Sequence, residues 1–148
     1  MAARGHVRAG FSLIELALVT VIVGIVAAMA VPRYADALSR YQIDAAAQRV
    51  VADIDYARHH AKAKSTDVTI FFSTANDSLA VPALPSLTQP DAPHTTDLTE
   101  APYRVVLTAA NFSGNARLMF DGYGKPVSGG TVILRAGSRA RVITIDAT

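Results

Sequence analysis

One carboxylate lies inside an otherwise uncharged stretch of the chain. Residues 11–31 contain Glu15 and no other charged side chain, and Pro32 follows directly after them. A carboxylate in such apolar surroundings costs on the order of a few kcal/mol unless it has a partner, and such residues usually mark function. The partner that suits it is a cation. If the chain were cut after Gly10, the free α-amine of Phe11 would stand four residues before Glu15 and supply that cation, to its own chain or to a neighbour.

Two simpler explanations of Glu15 remain open. Ser12-Leu-Ile-Glu15 has the spacing of a capping box, in which both side chains satisfy backbone N–H groups where a helix begins. The carboxylate would then also face the positive end of the helix dipole. Alternatively, Glu15 lies shallow enough in a membrane to reach water at the headgroups.

The histidines are not spaced to form a metal site. His59 and His60 are adjacent, so on a helix they point about 100° apart and cannot chelate one ion together. Asp55 and His59 are four residues apart and could hold a metal weakly. A solvated ion pair is the favoured interpretation of these two residues.

Other motifs that could bind ions or phosphates lack the required spacing. Asp91, Asp97 and Glu100 do not follow the ligand spacing of a calcium loop. Residues 122–125, Gly-Tyr-Gly-Lys, lack the spacing of a phosphate-binding loop and suit a glycine turn between strands. The chain has no cysteine for a thiolate site. We therefore predict no catalytic residue, no metal, no cofactor and no enzymatic activity.

The C-terminal end is basic. Arg135, Arg139 and Arg141 flank one turn, with Arg117 and Lys125 nearby in sequence. Clustered cations of this kind can bind a phosphate backbone, which makes DNA a candidate partner. Few aromatic residues lie between them for base stacking, and edge strands often carry Arg or Lys to prevent aggregation. An edge that faces solvent or another subunit is therefore favoured over nucleic acid.

The apolar run predicts a membrane span. As a helix, its 21 residues extend roughly 31 Å, close to the ~30 Å hydrocarbon core of a bilayer. Residues 1–10 carry Arg4 and Arg8 and no acid. Arginines on the short side of a span keep that side in the cytoplasm, so residues 32–148 are expected outside.

The helical period continues beyond Pro32. One apolar, alanine-rich stripe runs through Ile43, Ala46, Ala47, Val50, Ile54, Ala57 and Ala61. We therefore predict one helix from Phe11 to about Lys64, kinked at Pro32, where the ring removes a backbone donor. Its outer half comprises residues 32–65.

Residues 66–148 are predicted to form an antiparallel β domain that covers this stripe. The predicted strands are 68–72, a weak strand at 79–84, then 103–108, 117–120, 131–135 and 139–145. Residues 121–126 are expected to form the turn between two successive strands. Residues 82–102 hold five of the seven prolines and all but two of the five acids of residues 66–102, which predicts an exposed, mobile loop. The fold class is α+β, a long helix on one antiparallel sheet.

Residues 10–16, Gly-Phe-Ser-Leu-Ile-Glu-Leu, resemble the class III signal of prepilins and pseudopilins. The resemblance implies that a prepilin peptidase cuts between Gly10 and Phe11 and methylates the new N-terminus at Phe11. It also implies that Glu15 docks the subunit into a filament by pairing with a neighbour's N-terminus. Pro32 falls where many relatives carry a helix-kinking proline.

Residues 51–58 and 120–126, with a closing pair of strands joined through Gly137, resemble the GspH/FimT group. This resemblance implies a pilin-like fold and a structural minor pseudopilin of a type II secretion pseudopilus, anchored in the bacterial inner membrane among other pseudopilins. The alternative is a minor pilin of a type IV pilus, whose basic end binds DNA or sets adhesion. Relatives commonly continue beyond the position of Thr148, so we expect either a sheet without one edge strand or a truncated chain.

An ordinary secretory signal peptide is the remaining alternative. Ala28-Met-Ala30 has the small residues of a signal peptidase site, and cleavage there would release a secreted binding protein that begins at Val31. The length of the apolar run and the acid within it argue against this interpretation.

Overall fold

The computed structural model describes residues 11–86, 89 and 91–147. Its one helix there, α1, spans Leu13–Lys64. The strands that follow are β1 (Val68–Ser73), β2 (Ser78–Pro85), β3 (Pro93–Asp97), β4 (Val106–Phe112), β5 (Arg117–Phe120), β6 (Gly130–Ala136) and β7 (Arg139–Ile145). The chain divides into two compact units, Met1–Ala37 and Leu38–Thr148.

In the first unit, the described residues form the start of α1. Every side chain of residues 11–37 is exposed. The helix contains an 18-residue window with a mean hydropathy of 2.6 and none of its side chains buried, which by length and composition is sufficient to cross a membrane. Pro32 lies inside the helix; the kink predicted there remains a prediction.

In the second unit, the predicted apolar stripe is buried. All seven of its members are less than a tenth exposed, and Val50 is fully buried. The stripe belongs to one core with buried side chains from both β-sheets. A fully buried valine contributes roughly 1.5–3 kcal/mol relative to an exposed one, so this packing accounts for much of the stability of the helix.

The end of α1 is set by local backbone geometry. Ser65 has a φ of 52°, and the N–H of Thr66 donates to the carbonyl of Ala61 at 3.2 Å. A residue in the left-handed conformation, together with a hydrogen bond from an N–H to the carbonyl five residues earlier, is a common way for a helix to end. Lys62 and Lys64 lie in the last turn, where positive charge opposes the helix dipole.

The strands form two antiparallel sheets. One sheet has the order β3-β2-β1-β5 and the other has the order β4-β6-β7. The predicted α+β class, a long helix packed on antiparallel β-structure, is confirmed, and the strands are divided between two sheets where one was expected. Residues 121–126 lie between β5 and β6, as the sequence predicted, and these two strands belong to different sheets.

The predicted loop at 82–102 contains paired strand. β2 continues to Pro85 and β3 spans Pro93–Asp97, with Leu84 and Leu98 buried. The prolines are tolerated because the β2–β3 register shifts between Val81 and Pro85, and because Pro93 begins an edge strand. The prediction of an exposed, mobile loop was wrong for these residues.

The predicted strand at 103–108 lies further along the chain. Tyr103 and Arg104 both donate their backbone N–H to the carbonyl of Glu100, and Arg104 has a φ of 50°. These residues form a turn, so β4 begins only at Val106.

Candidate assembly site

Glu15 lies in the first turn of α1. Its backbone N–H and that of Leu16 both donate to the carbonyl of Ser12 at 3.1 Å. The Glu15 side chain is exposed. Phe11, which is 79% exposed, precedes the helix by two residues. Gly10 falls outside the described residues.

The side-chain hydrogen bonds of a capping box are not formed within residues 11–86. The Glu15 N–H donates to the Ser12 carbonyl, but the Ser12 N–H does not donate to the Glu15 carboxylate, and the Glu15 N–H does not donate to the Ser12 hydroxyl oxygen. The helix dipole still favours an acid in this turn. Within the part of the chain that the structure describes, the carboxylate has no ion pair, so it is available to a cation from elsewhere.

The surface around Glu15 is continuously apolar. Leu13 is 86% exposed and Ile14 is 76% exposed, and the large apolar side chains on to Val31 are also exposed. Soluble monomers rarely leave so large an apolar surface in water. A lipid bilayer or the helices of other subunits must therefore cover it.

The three predicted DNA-contacting arginines do not share one face. Arg139 pairs with Ala136 and Arg141 pairs with Leu134 in the β6–β7 ladder, and both of those partners are buried. Directly opposed residues lie on the same face of a sheet, so Arg139 and Arg141 lie on the helix-facing side. Arg135 pairs with Ala140 instead, and its Nε donates to the carbonyl of Gly137 at 3.2 Å.

A different set of three arginines lies together in the structure. Arg40 of α1 lines a cavity of 500 Å³ together with Arg139 and Arg141. Arg141 also forms an exposed ion pair with Asp44, with 3.2 Å between Nη1 and Oδ1. Of the neighbours in sequence, Arg117 lies on β5 in the other sheet.

No metal site emerges from the predicted candidates. Asp55 and His59 are both exposed on α1. Over the described ranges, no group of three or more His, Asp or Glu side chains is arranged to hold a metal ion.

A buried polar cluster between α1 and β3 was not predicted. Asp53 is 3% exposed and His94 is 2% exposed. One carboxylate oxygen of Asp53 lies 3.0 Å from His94 Nε2, and the other accepts a hydrogen bond from the Thr96 hydroxyl at 2.7 Å. Arg49 Nε approaches the second oxygen at 3.3 Å as an ion pair, and the ring of Tyr56 packs edge-on against His94.

The sequence did contain a signal for this cluster. Asp53 lies three residues after Val50 and four before Ala57, which places it in phase with the buried stripe. An acid at such a position requires buried partners. The alternation of His94 and Thr96 would then have identified one face of a strand.

Comparisons with known proteins agree with this geometry. The family model described as type II transport protein GspH matches residues 46–148, more than half of the chain. The model of the prokaryotic N-terminal methylation motif matches residues 6–31. A search of curated proteins finds no significant match.

One solved structure has a similar fold. The crystal structure of the type IV minor pilin FimU from Pseudomonas aeruginosa strain PAO1 matches with a TM-score of 0.54 and 20% sequence identity. The match covers 73% of this chain and 84% of that one. At this identity, the similarity concerns the fold.

Proposed function

Because the chain belongs to the GspH family of type II transport proteins, we propose that it is a minor pseudopilin of a type II secretion pseudopilus. The coarser function, a minor subunit of a pseudopilus or pilus, follows from the family, the methylation motif and the pilin-like fold. The chain is a membrane-anchored, pilin-like protein whose partners are other pilins and a prepilin peptidase. Pilin families consist of structural subunits, and we propose no enzymatic activity.

The observation that carries this proposal is the state of Glu15. An exposed carboxylate without an ion pair in the described chain lies in a segment, residues 11–31, whose apolar side chains are all exposed. We propose that residues 1–10 are a cytoplasmic leader, cut between Gly10 and Phe11, and that Phe11 is N-methylated. Residues 11–31 then span the membrane up to a kink at Pro32, and the β domain of residues 66–148 lies on the outer side.

The proposed driving contact joins the Phe11 amine of one subunit to Glu15 of its neighbour. Two unit charges 4 Å apart attract by about 1 kcal/mol in bulk water, but by about 4 kcal/mol at an effective dielectric constant of about 20. Apolar helices that exclude water around this ion pair therefore strengthen it enough to fix how neighbouring subunits align along the fibre.

The test compares Glu15→Ala with Ser12→Ala. Glu15→Ala should leave cleavage and membrane insertion intact and reduce incorporation into the fibre, because the neighbour's amine loses its partner. Ser12→Ala removes the other half of the capping-box sequence and should leave incorporation near wild type. Incorporation is measured by quantifying the subunit in sheared, purified fibres against the membrane fraction.

Two results would contradict the proposal. Normal incorporation of Glu15→Ala would remove the role in assembly. An equal loss of incorporation in both variants would indicate that Glu15 acts only as a capping residue at the start of the helix.

The arginine cavity favours a second candidate, DNA contact by a minor pilin. In the described chain, Arg139 Nε is buried without a hydrogen-bond partner, and it lines the same cavity as Arg40 and Arg141. If this cavity binds phosphate, Arg139→Ala and Arg141→Ala should abolish salt-sensitive binding of duplex DNA to the full chain in detergent. Arg135→Ala is the matched control, because this side chain lies on the opposite face of the sheet. If the wild type does not bind DNA, this second candidate is wrong, and the proposed role in a type II secretion pseudopilus stands.

A further inference from the structure

An open groove runs between α1 and β7 in the second unit. Two cavities of 260 and 640 Å³ share Val51 and Asp55 of the helix and Ile143 of the strand, so they form one continuous depression, which we call the β7 groove. Val51 is 43% exposed in it.

The opposite flank of the helix is closed. There, Arg49 and Asp53 bind His94 and Thr96 of β3, so polar contacts connect helix and strand directly. On the β7 side, the polar side-chain contact that the described residues show between helix and strand is the exposed pair of Asp44 and Arg141. The side of α1 that faces β3 is thus covered, whereas the side that faces β7 leaves apolar surface exposed.

The strand that borders the groove also has a free edge. β7 is the last strand in the order β4-β6-β7, and all seven of its residues pair with β6 on one side. In an antiparallel ladder, alternate residues direct their N–H and C=O groups away from the partner strand. Among the described residues no strand pairs with these groups, and such a row is a template for another extended segment.

Charge at one end of the groove identifies what the added segment should carry. Asp55 and Asp146 line the groove, and both are exposed without an ion pair in the described chain. Arg58 lines the same end and donates its Nε to the carbonyl of Gly124 at 3.1 Å, so the two carboxylates and this one cation leave a net negative charge there. Two carboxylates without a nearby ion pair favour Lys or Arg on the occupant.

We propose that the β7 groove accepts an extended segment of a neighbouring pilin-like subunit in the fibre. The segment pairs its backbone with the free edge of β7. It directs alternate apolar side chains toward Val51 and Ile143, and it places a basic side chain beside Asp55 and Asp146. A helix in the same place would cover apolar surface but would leave the β7 edge unpaired. This inference rests on the proposed function, since the fibre supplies the neighbour.

The test is hydrogen exchange of the full chain, free in detergent and within purified fibres. Strand addition should slow only the β7 amides that point away from β6, by at least about tenfold, because the others are already paired. The expected result is therefore protection at every second residue of 139–145. β3, one of the two edge strands of the other sheet, is the internal control and should exchange at the same rate in both states.

Charge reversal supplies the second measurement. Asp55→Arg should remove the alternating protection in the fibre, while Asp91→Arg, an exposed acid outside the groove, should retain it. If residues 13–31 become protected in the fibre but β7 exchange is unchanged, the subunit has assembled without using the groove. This result would overturn the proposed role of the β7 groove and leave the proposed function intact. Uniform slowing of all β7 amides would also overturn it, since this indicates cover without strand pairing. A chain that never enters the fibre overturns both.

Discussion

At the scale of single residues, Asp53 has the most demanding position in the second unit. A buried carboxylate loses its hydration and is stable only when its oxygens are fully engaged. Asp53 meets this condition through His94, Thr96 and Arg49, on two different elements. The cluster therefore fixes which face of β3 meets the helix, which apolar packing alone would leave less defined.

Removal of this carboxylate should be costly. Asp53→Ala is expected to lower the free energy of unfolding by about 3–5 kcal/mol, because Arg49 and His94 lose a buried partner. Asp44→Ala is the matched control, since it breaks the exposed pair with Arg141 and should cost about 1 kcal/mol or less. Urea unfolding of the full chain in detergent measures both. Similar losses in the two variants would show that burial adds nothing to the Asp53 contacts.

Asp97, at the end of β3, shows the same chemistry at the surface. Its Oδ1 accepts hydrogen bonds from the Thr99 hydroxyl at 2.7 Å and from the Thr99 N–H at 2.8 Å. These bonds, the hydroxyl first, hold the pKa of the Asp97 carboxyl below its usual value. Any stability that they add is complete above the pKa of the unfolded chain and is lost as the pH falls through the lower folded value.

At the scale of elements, period and composition predicted the helix and most strands. The helix was expected from Phe11 and begins at Leu13, and the strands at 117–120 and 139–145 have the bounds that were predicted. The helix was predicted correctly because its buried face is apolar in a regular period, and β5 because Leu118 and Phe120 alternate on its buried face. β7 was recognised from its run of β-branched residues at 142–145. β3 was not predicted because Pro93, His94 and Asp97 are residues typical of a loop. Its position depends instead on the contact of His94 with Asp53, 41 residues earlier in the chain.

The connection between the two sheets is constrained by close approach to the end of α1. A Cβ on Gly122 would lie 2.8 Å from the carbonyl carbon of Ser65, nearer than such atoms pack. Gly122→Ala should therefore displace backbone and lower the free energy of unfolding by about 1–3 kcal/mol. Gly24→Ala is the control, because a Cβ there meets nothing within 4 Å and alanine favours a helix. Denaturant midpoints of the two variants measure the difference. A Gly122→Ala midpoint equal to that of the wild type would show that the loop moves freely away from Ser65.

At the scale of the whole molecule, the two units differ in how much of their apolar surface is buried. Residues 38–147 bury an apolar core of their own, whereas residues 11–37 bury none of their side chains. The motif at 10–16 was legible in the sequence, but its partners are a peptidase, a membrane and neighbouring subunits. One chain cannot contain those contacts, so the pairing of Glu15 with the Phe11 amine of a neighbour stays a prediction.

The mature N-terminus is the prediction on which this account of the whole molecule depends. If a prepilin peptidase processes the chain, mass spectrometry of protein from cells should find N-methylated Phe11 as the first residue. The physical reason is that the proposed pairing of Glu15 uses a free α-amine at Phe11, which cleavage after Gly10 would create. Gly10→Leu should block cleavage and keep the subunit out of the fibre, while Gly24→Ala should be processed normally. A mature chain that begins at Val31 would indicate signal peptidase and a secreted domain, because both Phe11 and Glu15 would be lost with the signal.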